Sequence, residues 1–271
     1  MSGLEFRLPW VGNRRKWDSA QPTDRPIAGQ VDYDAGQNRY FVNQSRIPWW
    51  RWFEQELTFR QLFVSWPFIQ GRVLEIGLGH RPFWLFFHHL SRHYVSLDFS
   101  ALHPETQTTN LSLDPQNLPL KSEHLDTVVL WKVLRLVQNP SQFLEQVVAA
   151  LRTDGHLIVL VSHEWGDGKS TPLPHDFSPG DLRKWLASLG LQVEFEQNFT
   201  GRQISLLQKW NAWVGRHPKV QKSPRFLVRT ILLAEKVYLN RWQKRNAAAP
   251  SGDAPQEPLA TLLVGCKTSQ V

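Results

Sequence analysis

Residues 72–86, RVLEIGLGHRPFWLF, constrain the fold of this chain more than any other stretch. A short apolar run ends at Gly77 and Gly79, and a basic, aromatic segment follows. A strand that ends in a glycine turn before a helix brings backbone N–H groups close to a ligand. A dinucleotide site needs a third glycine, but Pro82 stands there and has no N–H. The turn therefore favours a nucleoside joined to an amino acid over a pyrophosphate.

The same pattern continues along the chain as short apolar runs separated by helical stretches. Helical spacing occurs at 82–92 and 140–152. Strand, helix, strand is the signature of parallel βαβ units with helices on both faces of a sheet. An alternating stretch at 191–199 and a final apolar run near 260–267 add two further strands. The first four strands are predicted at 72–77, 93–98, 125–131 and 156–162.

The 271 residues are expected to form one main domain with additions. Residues 1–46 are polar and interrupted by Gly and Pro, which predicts an extended N-terminal arm. The main domain is then 47–271. Within it, 201–246 is predicted to be a basic helical insertion, and 247–258 has the composition of a linker.

Composition excludes several classes of protein. Cys266 is the only cysteine, which excludes an intramolecular disulfide framework and a cysteine cluster for zinc or iron–sulfur, so no metal site is expected. A reducing, cytoplasmic compartment fits best. The chain has no apolar run long enough for a transmembrane helix, and its first residues lack the apolar core of a secretion signal. We therefore expect a protein that is neither secreted nor membrane-spanning.

Acidic residues follow the predicted strands at intervals that suit a nucleoside ligand. Glu75 lies at the first strand end, where a carboxylate can receive a cationic amine. Asp98 closes the next strand, which suits the two hydroxyls of a ribose. Asp114 precedes a turn placed to meet an adenine edge, and Phe99 is placed to stack on the base.

The motifs, taken in order, resemble those of class I S-adenosylmethionine-dependent methyltransferases. They are VLEIGLGHRPFWLF, VSLDFS, DPQNLPLKSEHLDTVVL, VLRLVQNPSQFLEQVVAALRTDGHLIVL and LPHDFSPGDLRKWLASLGLQVEF. The type 11-like branch, whose glycine turn continues Arg-Pro-aromatic, is the most similar. The resemblance implies a Rossmann-like α/β fold with a seven-stranded sheet in the order 3-2-1-4-5-7-6. In that fold strand 7 is antiparallel, helices cover both faces, and the basic insertion separates strands 6 and 7.

The resemblance also assigns roles to single residues. Glu75, Gly77 and Gly79 would hold the methionine part of S-adenosylmethionine, Asp98 the ribose and Asp114 the adenine. Trp131, which leaves strand 4, would close the pocket. The implied function is methyl transfer to an oxygen or nitrogen of a small-molecule or lipid-linked acceptor.

Two departures from the family pattern keep an alternative open. His80 replaces a small residue in the glycine turn, and Leu134–Leu136 stand where the family commonly has Leu-Glu-His. They favour a catalytically inactive, methyltransferase-like binding or scaffold protein. A nicotinamide-dependent oxidoreductase is a third interpretation, against which Pro82 argues.

A catalytic base is optional, because the driving force of methyl transfer resides in the sulfonium cofactor. The candidates are His163 and His175, with Glu164 and Asp176 beside them, on loops where the acceptor should bind. A histidine with a pKa near neutrality is suited to deprotonate a hydroxyl. The competing interpretation is that both histidines only order their loops.

The insertion at 201–246 carries eleven Lys or Arg residues and one acid, Glu235, so the net charge of +7 originates there. Three interpretations remain open: contact with an anionic membrane surface, direct binding of a phosphorylated or lipid-linked acceptor, or a solvated lid. Nucleic acid is a weaker candidate because the charge is local and no recognition motif accompanies it. The predicted location is cytoplasmic. The first of these interpretations adds association with a membrane surface.

Overall fold

The structure is a computed structural model. It describes residues 31–34, 36, 39–42, 48–77, 83–98, 118, 120–134, 137–162, 179–199, 202–223, 225–248 and 260–268. For some residues within helices and strands, Asp98 and Arg225 among them, it describes the backbone alone.

Six strands form the central sheet of the described chain. In sheet order they are β4 (His93–Asp98), β3 (Arg72–Gly77), β5 (Leu125–Trp131), β6 (Leu151–Ser162), β8 (Ala260–Lys267) and β7 (Leu191–Phe199). The pairs β3–β4, β3–β5 and β5–β6 are parallel, and β8 is antiparallel to both of its neighbours. In the numbering of the family fold this is the order 2-1-4-5-7-6. The family's strand 3, which would lie beside β4, is not among the described strands. The count of seven is not confirmed, and 99–117, between β4 and β5, lie outside the described residues.

Alternate residues of the strands enter two separate hydrophobic cores. Val129 and Ile158 belong to one core, while their neighbours Val128 and Leu157 belong to the other. The first core is closed by α1 (Trp49–Phe63) and α2 (Trp84–Leu90), and the second by α3 (Pro140–Ala150) and α4 (Pro179–Ser188). Strands buried on both faces require near-continuous apolar sequence, which explains the apolar runs. The predicted covering of both faces by helices is confirmed.

The predicted extended arm is corrected over part of its length. β1 (Val31–Asp34) and β2 (Arg39–Val42) pair as an antiparallel hairpin. Val31, Tyr40 and Val42 are buried in the same core as α1 and α2, and the Tyr40 ring contacts Phe59 and Phe86 edge-on. Strands of four residues are too short for a clear periodic signal, and this hairpin is stabilised by the helices beneath it.

The basic insertion is mainly helical over its described residues. Its helices are α5 (Arg202–Gly215) and α7 (Arg225–Ala248), with the short α6 (Pro218–Gln221) between them. Trp49 on α1 donates its indole N–H to the carbonyl of Gln221 at 3.2 Å, which ties the insertion to the main domain. The predicted linker 247–258 begins inside α7, and 249–259 lie outside the described residues. No helix in the described ranges combines the length and apolar character needed to cross a bilayer.

Candidate functional site

The carboxyl ends of β3, β4 and β5 lie side by side and bring together several of the predicted site residues. Gly77 pairs with Asp98 across β3 and β4, and Glu75 pairs with Ser96 two residues earlier. Trp131 is the last residue of β5, the other neighbour of β3. Ligands of open α/β sheets bind at such strand ends. The register therefore agrees with a site built from these strand ends.

Glu75 is buried, with 2% of its surface exposed, and both of its carboxylate oxygens accept hydrogen bonds. The indole N–H of Trp131 donates to Oε1 at 2.6 Å. The hydroxyl of Tyr94 donates to Oε2. A carboxylate removed from water is costly unless donors replace its hydration, and these two side chains supply them.

Gly77 accommodates the ring of Trp131. A Cβ atom at residue 77 would lie 2.5 Å from Trp131 Nε1, closer than side chains approach one another. The indole is also fixed by Phe83, whose ring packs against it at a centroid distance of 5.3 Å and an angle of 65°. The space that a glycine leaves above the strand end is thus filled by a side chain of the same protein.

The remaining predicted site residues cannot be placed in this arrangement. For Asp98 the structure describes the backbone position alone. The other cofactor and catalytic candidates lie outside the described residues: Gly79, Phe99, Asp114, His163, Glu164, His175 and Asp176. Their roles stay predictions.

Tyr94 is a site residue that reasoning from the sequence missed. It lies on β4 opposite Val73 and reaches diagonally to Glu75. Its ring also stacks on Phe87 of α2, with a centroid distance of 6.1 Å and an interplanar angle of 12°. Side chains two apart on a strand share a face, so Tyr94 and Ser96 share the face of Glu75. That signal depends on the register, which the sequence does not supply.

Lys132, directly after Trp131, turns the chain away from the sheet. It has a positive φ of 58°, and its ammonium group donates to Thr58 Oγ1 of α1 at 2.8 Å. Glu54 of α1 lies 3.4 Å from the same ammonium group. These contacts join the end of β5 to α1, and they fix the backbone that carries Trp131.

Comparison with known proteins identifies the family of this chain. A sequence profile described as a methyltransferase domain matches residues 49–227, about two thirds of the chain. No curated protein matches the chain significantly.

Solved structures give the fold. The [4+2]-cyclase SpnF is similar with a TM-score of 0.55 at 13% identity, covering 90% of this chain and 89% of that protein. A candidate sarcosine dimethylglycine methyltransferase from Galdieria sulphuraria has a TM-score of 0.50 at 13% identity, with 89% and 93% covered. An S-adenosylmethionine dependent methyltransferase from Mesorhizobium loti has a TM-score of 0.48 at 17% identity, with 79% and 99% covered.

The profile match, together with the sheet order and the glycine turn, settles the family. The chain belongs to the methyltransferase domain family: it is a methyltransferase with a Rossmann-like fold and a mostly parallel sheet, and its cofactor is S-adenosylmethionine.

Proposed function

We propose that this enzyme transfers the methyl group of S-adenosylmethionine to an oxygen or nitrogen of a small-molecule or lipid-linked acceptor. The observation that carries the proposal is the meeting of Glu75, Gly77 and the backbone of Asp98 at adjacent strand ends. We propose that Gly79, Phe99 and Asp114 complete the cofactor site and that the full sheet has the family order 3-2-1-4-5-7-6. The cofactor supplies an electrophilic methyl group, and the protein aligns the acceptor.

Trp131 is proposed to act as a gate in this site. Its indole occupies the space above Gly77 and holds Glu75 Oε1, the atom suited to a ligand ammonium group. Once the indole turns away, Glu75 and Gly77 fit the methionine part of the cofactor. The ammonium group of that part then replaces the indole N–H as the donor to Glu75. Tyr94 holds the other carboxylate oxygen and keeps Glu75 oriented during the exchange.

We propose that residues of the segment 163–178, between β6 and α4, carry the acceptor chemistry. His163 and His175 are proposed as alternative bases that take the proton of a hydroxyl or amine acceptor. The pH dependence of the methyl-transfer rate is expected to show one pKa near neutrality. Its loss in His163→Ala or in His175→Ala would identify which histidine acts as the base.

Calorimetry with S-adenosylmethionine tests the cofactor site. We expect one molecule to bind, and we expect Asp98→Ala and Glu75→Gln each to weaken binding by about tenfold or more, since each removes a charged partner. Trp131→Phe is expected to bind at least as tightly as wild type, because the indole no longer competes for Glu75. Glu145→Gln, which alters an exposed carboxylate on α3, is the matched control.

The same measurements separate the proposal from a catalytically inactive binding or scaffold protein. The Trp131 ring above Gly77 favours that alternative, and the similar [4+2]-cyclase illustrates that this fold also serves a protein with another activity. No cofactor binding by wild type, or equal binding by Asp98→Ala, would refute the proposed site. Binding without release of S-adenosylhomocysteine across a broad acceptor screen would support the scaffold interpretation.

The insertion is proposed to lie on an anionic membrane surface, where a lipid-linked acceptor would be found. Apolar side chains on α5 and α7 are exposed, with Leu233 64% exposed and Trp210 42% exposed. The rings of Trp210 and Trp213 stack at 5.2 Å, and α5 and α7 also carry exposed cations. Basic helices with exposed aromatic and aliphatic residues bind anionic lipid surfaces. The exposed cations in question are Lys209, Arg216, Arg229, Lys236 and Arg241.

Sedimentation with vesicles tests this surface. We expect binding to vesicles that contain phosphatidylserine, weakening as salt rises, and no binding to neutral vesicles. Arg229→Gln combined with Lys236→Gln should reduce binding, whereas Lys121→Gln combined with Lys184→Gln, two exposed lysines outside the insertion, should not. Equal binding to both vesicle types would contradict the proposal.

A further inference from the structure

Three metal-binding side chains meet at the antiparallel end of the sheet, away from the proposed cofactor site. They are His156 of β6, Glu194 of β7 and Cys266 of β8. One ligand atom from each lies within 4.8 Å of the other two. His156 Nε2 and Glu194 Oε2 lie 3.1 Å apart.

The sheet geometry brings these side chains together. His156 pairs directly with Cys266 across β6 and β8, so both side chains point to the same face. On β7, Val193 pairs with Gly265 and Phe195 with Val264, which leaves Glu194 as an extra residue in a bulge. A bulge redirects a side chain, and such irregularities occur often beside functional sites. Three neighbouring strands therefore present three ligands to one point.

The surroundings suit a bound cation. The His156 side chain is 13% exposed and its ring packs against Phe68 at 5.6 Å, while its Nδ1 is buried without a hydrogen-bond partner among the described residues. Burial is the main cause of a raised pKa of the Cys266 thiol. The nearby carboxylates of Glu194 and Asp154 raise this pKa further. These surroundings differ from those of a nucleophilic cysteine, whose thiolate is stabilised by positive groups.

We propose that His156, Glu194 and Cys266 bind one divalent transition-metal ion, with Zn²⁺ the best match. A thiolate, an imidazole and a carboxylate are the ligands that zinc prefers. Zinc bonds of about 2.0–2.3 Å place neighbouring ligands about 3.3–3.8 Å apart. The His156–Glu194 distance is already close to this, and the other two separations need only a side-chain movement of about 1 Å.

The ion would link β6, β7 and β8 at His156, where the pairing of β6 with β8 begins. Binding replaces the thiol proton of Cys266, so each ion bound releases one proton to solvent. Glu194 is 39% exposed, which leaves an entry path and a fourth coordination position for water. His156 lies four residues before Leu160, the partner of Trp131, so the metal and cofactor sites occupy different ends of the sheet.

Metal binding can be tested with the full chain and without the cofactor. The protein is treated with a chelator, dialysed under reducing conditions and titrated with Zn²⁺ by calorimetry and with Co²⁺ by absorbance. We expect one ion per chain and a thiolate-to-cobalt charge-transfer band. Cys266→Ser and Glu194→Gln should each weaken Zn²⁺ binding by about tenfold or more, because each removes a ligand. Zn²⁺ should also raise the melting temperature of the wild type by more than it raises that of either variant.

Glu196→Gln is the matched control, because Glu196 lies on the same strand but accepts from Arg183 Nε at 3.0 Å outside the cluster. It should bind Zn²⁺ as the wild type does. The proposal is overturned if the wild type binds no ion. It is equally overturned if Cys266→Ser, shown by circular dichroism to be folded, binds Zn²⁺ with unchanged affinity.

Discussion

At the scale of the residue, the centre of the candidate site is one buried carboxylate that accepts from two side chains among the described residues. Glu75 receives the indole N–H of Trp131 and the hydroxyl of Tyr94, and both of these donors are neutral. A cationic ligand is therefore expected to compete with them for the carboxylate. Glycine at residue 77 permits this arrangement because it leaves room for the indole.

Gly77→Ala is expected to destabilise the protein by about 1–3 kcal/mol, because the new methyl group forces the Trp131 ring away and weakens its bond to Glu75. Urea denaturation measures the change. In a Trp131→Ala background the same substitution should cost much less, since the clash is gone. An equal cost in both backgrounds would show that the indole is not the cause.

At the scale of the element, α5 and α7 are held together by a buried acid. Glu235 on α7 accepts from Asn211 Nδ2 on α5 at 2.9 Å, while Glu235 Oε2 and Asn211 Oδ1 have no partner among the described residues. Burial raises the pKa of Glu235 to about 7, and the bond from Asn211 opposes this only partly. The one acid of the basic insertion thus lies in its interior.

The pH dependence of stability follows from that raised pKa. Between the ordinary pKa of 4.5 and about 7, the folded state binds more protons than the unfolded chain, so the free energy of unfolding falls as pH rises through this range. Glu235→Gln should therefore be more stable than wild type at pH 8, by on the order of 2–3 kcal/mol, and equal to it near pH 4. Glu145→Gln, the exposed control, should show no such difference.

At the scale of the whole molecule, the sheet keeps three regions apart. The carboxyl ends of the parallel strands carry the proposed cofactor site, the antiparallel end carries the His156, Glu194 and Cys266 cluster, and the insertion packs on α1. The hairpin of β1 and β2 completes the same core as α1. A change at one region is therefore expected to leave the others folded, which is why the cofactor, vesicle and zinc measurements are independent tests.

Local sequence determined the six strands of the main sheet, the helices near 82–92 and 140–152 and the helical character of the insertion, because hydrophobic periodicity and Gly or Pro boundaries act over a few residues. The short strands β1 and β2 escaped this reasoning, since the burial of Tyr40 beside Phe59 and Phe86 makes them stable. The resemblance of five ordered motifs to class I methyltransferases likewise needed the sequence alone, and a methyltransferase domain profile matches residues 49–227.

Tertiary structure decided what the chemically active side chains contact. Glu75 and Trp131 are 56 residues apart, and His156 and Glu194 are 38 apart. Strand register and a bulge bring such pairs together, and both depend on pairing across the sheet. The sequence therefore determined which side chains are available, while only the folded sheet determined that an indole covers one carboxylate and that a thiol lies beside another.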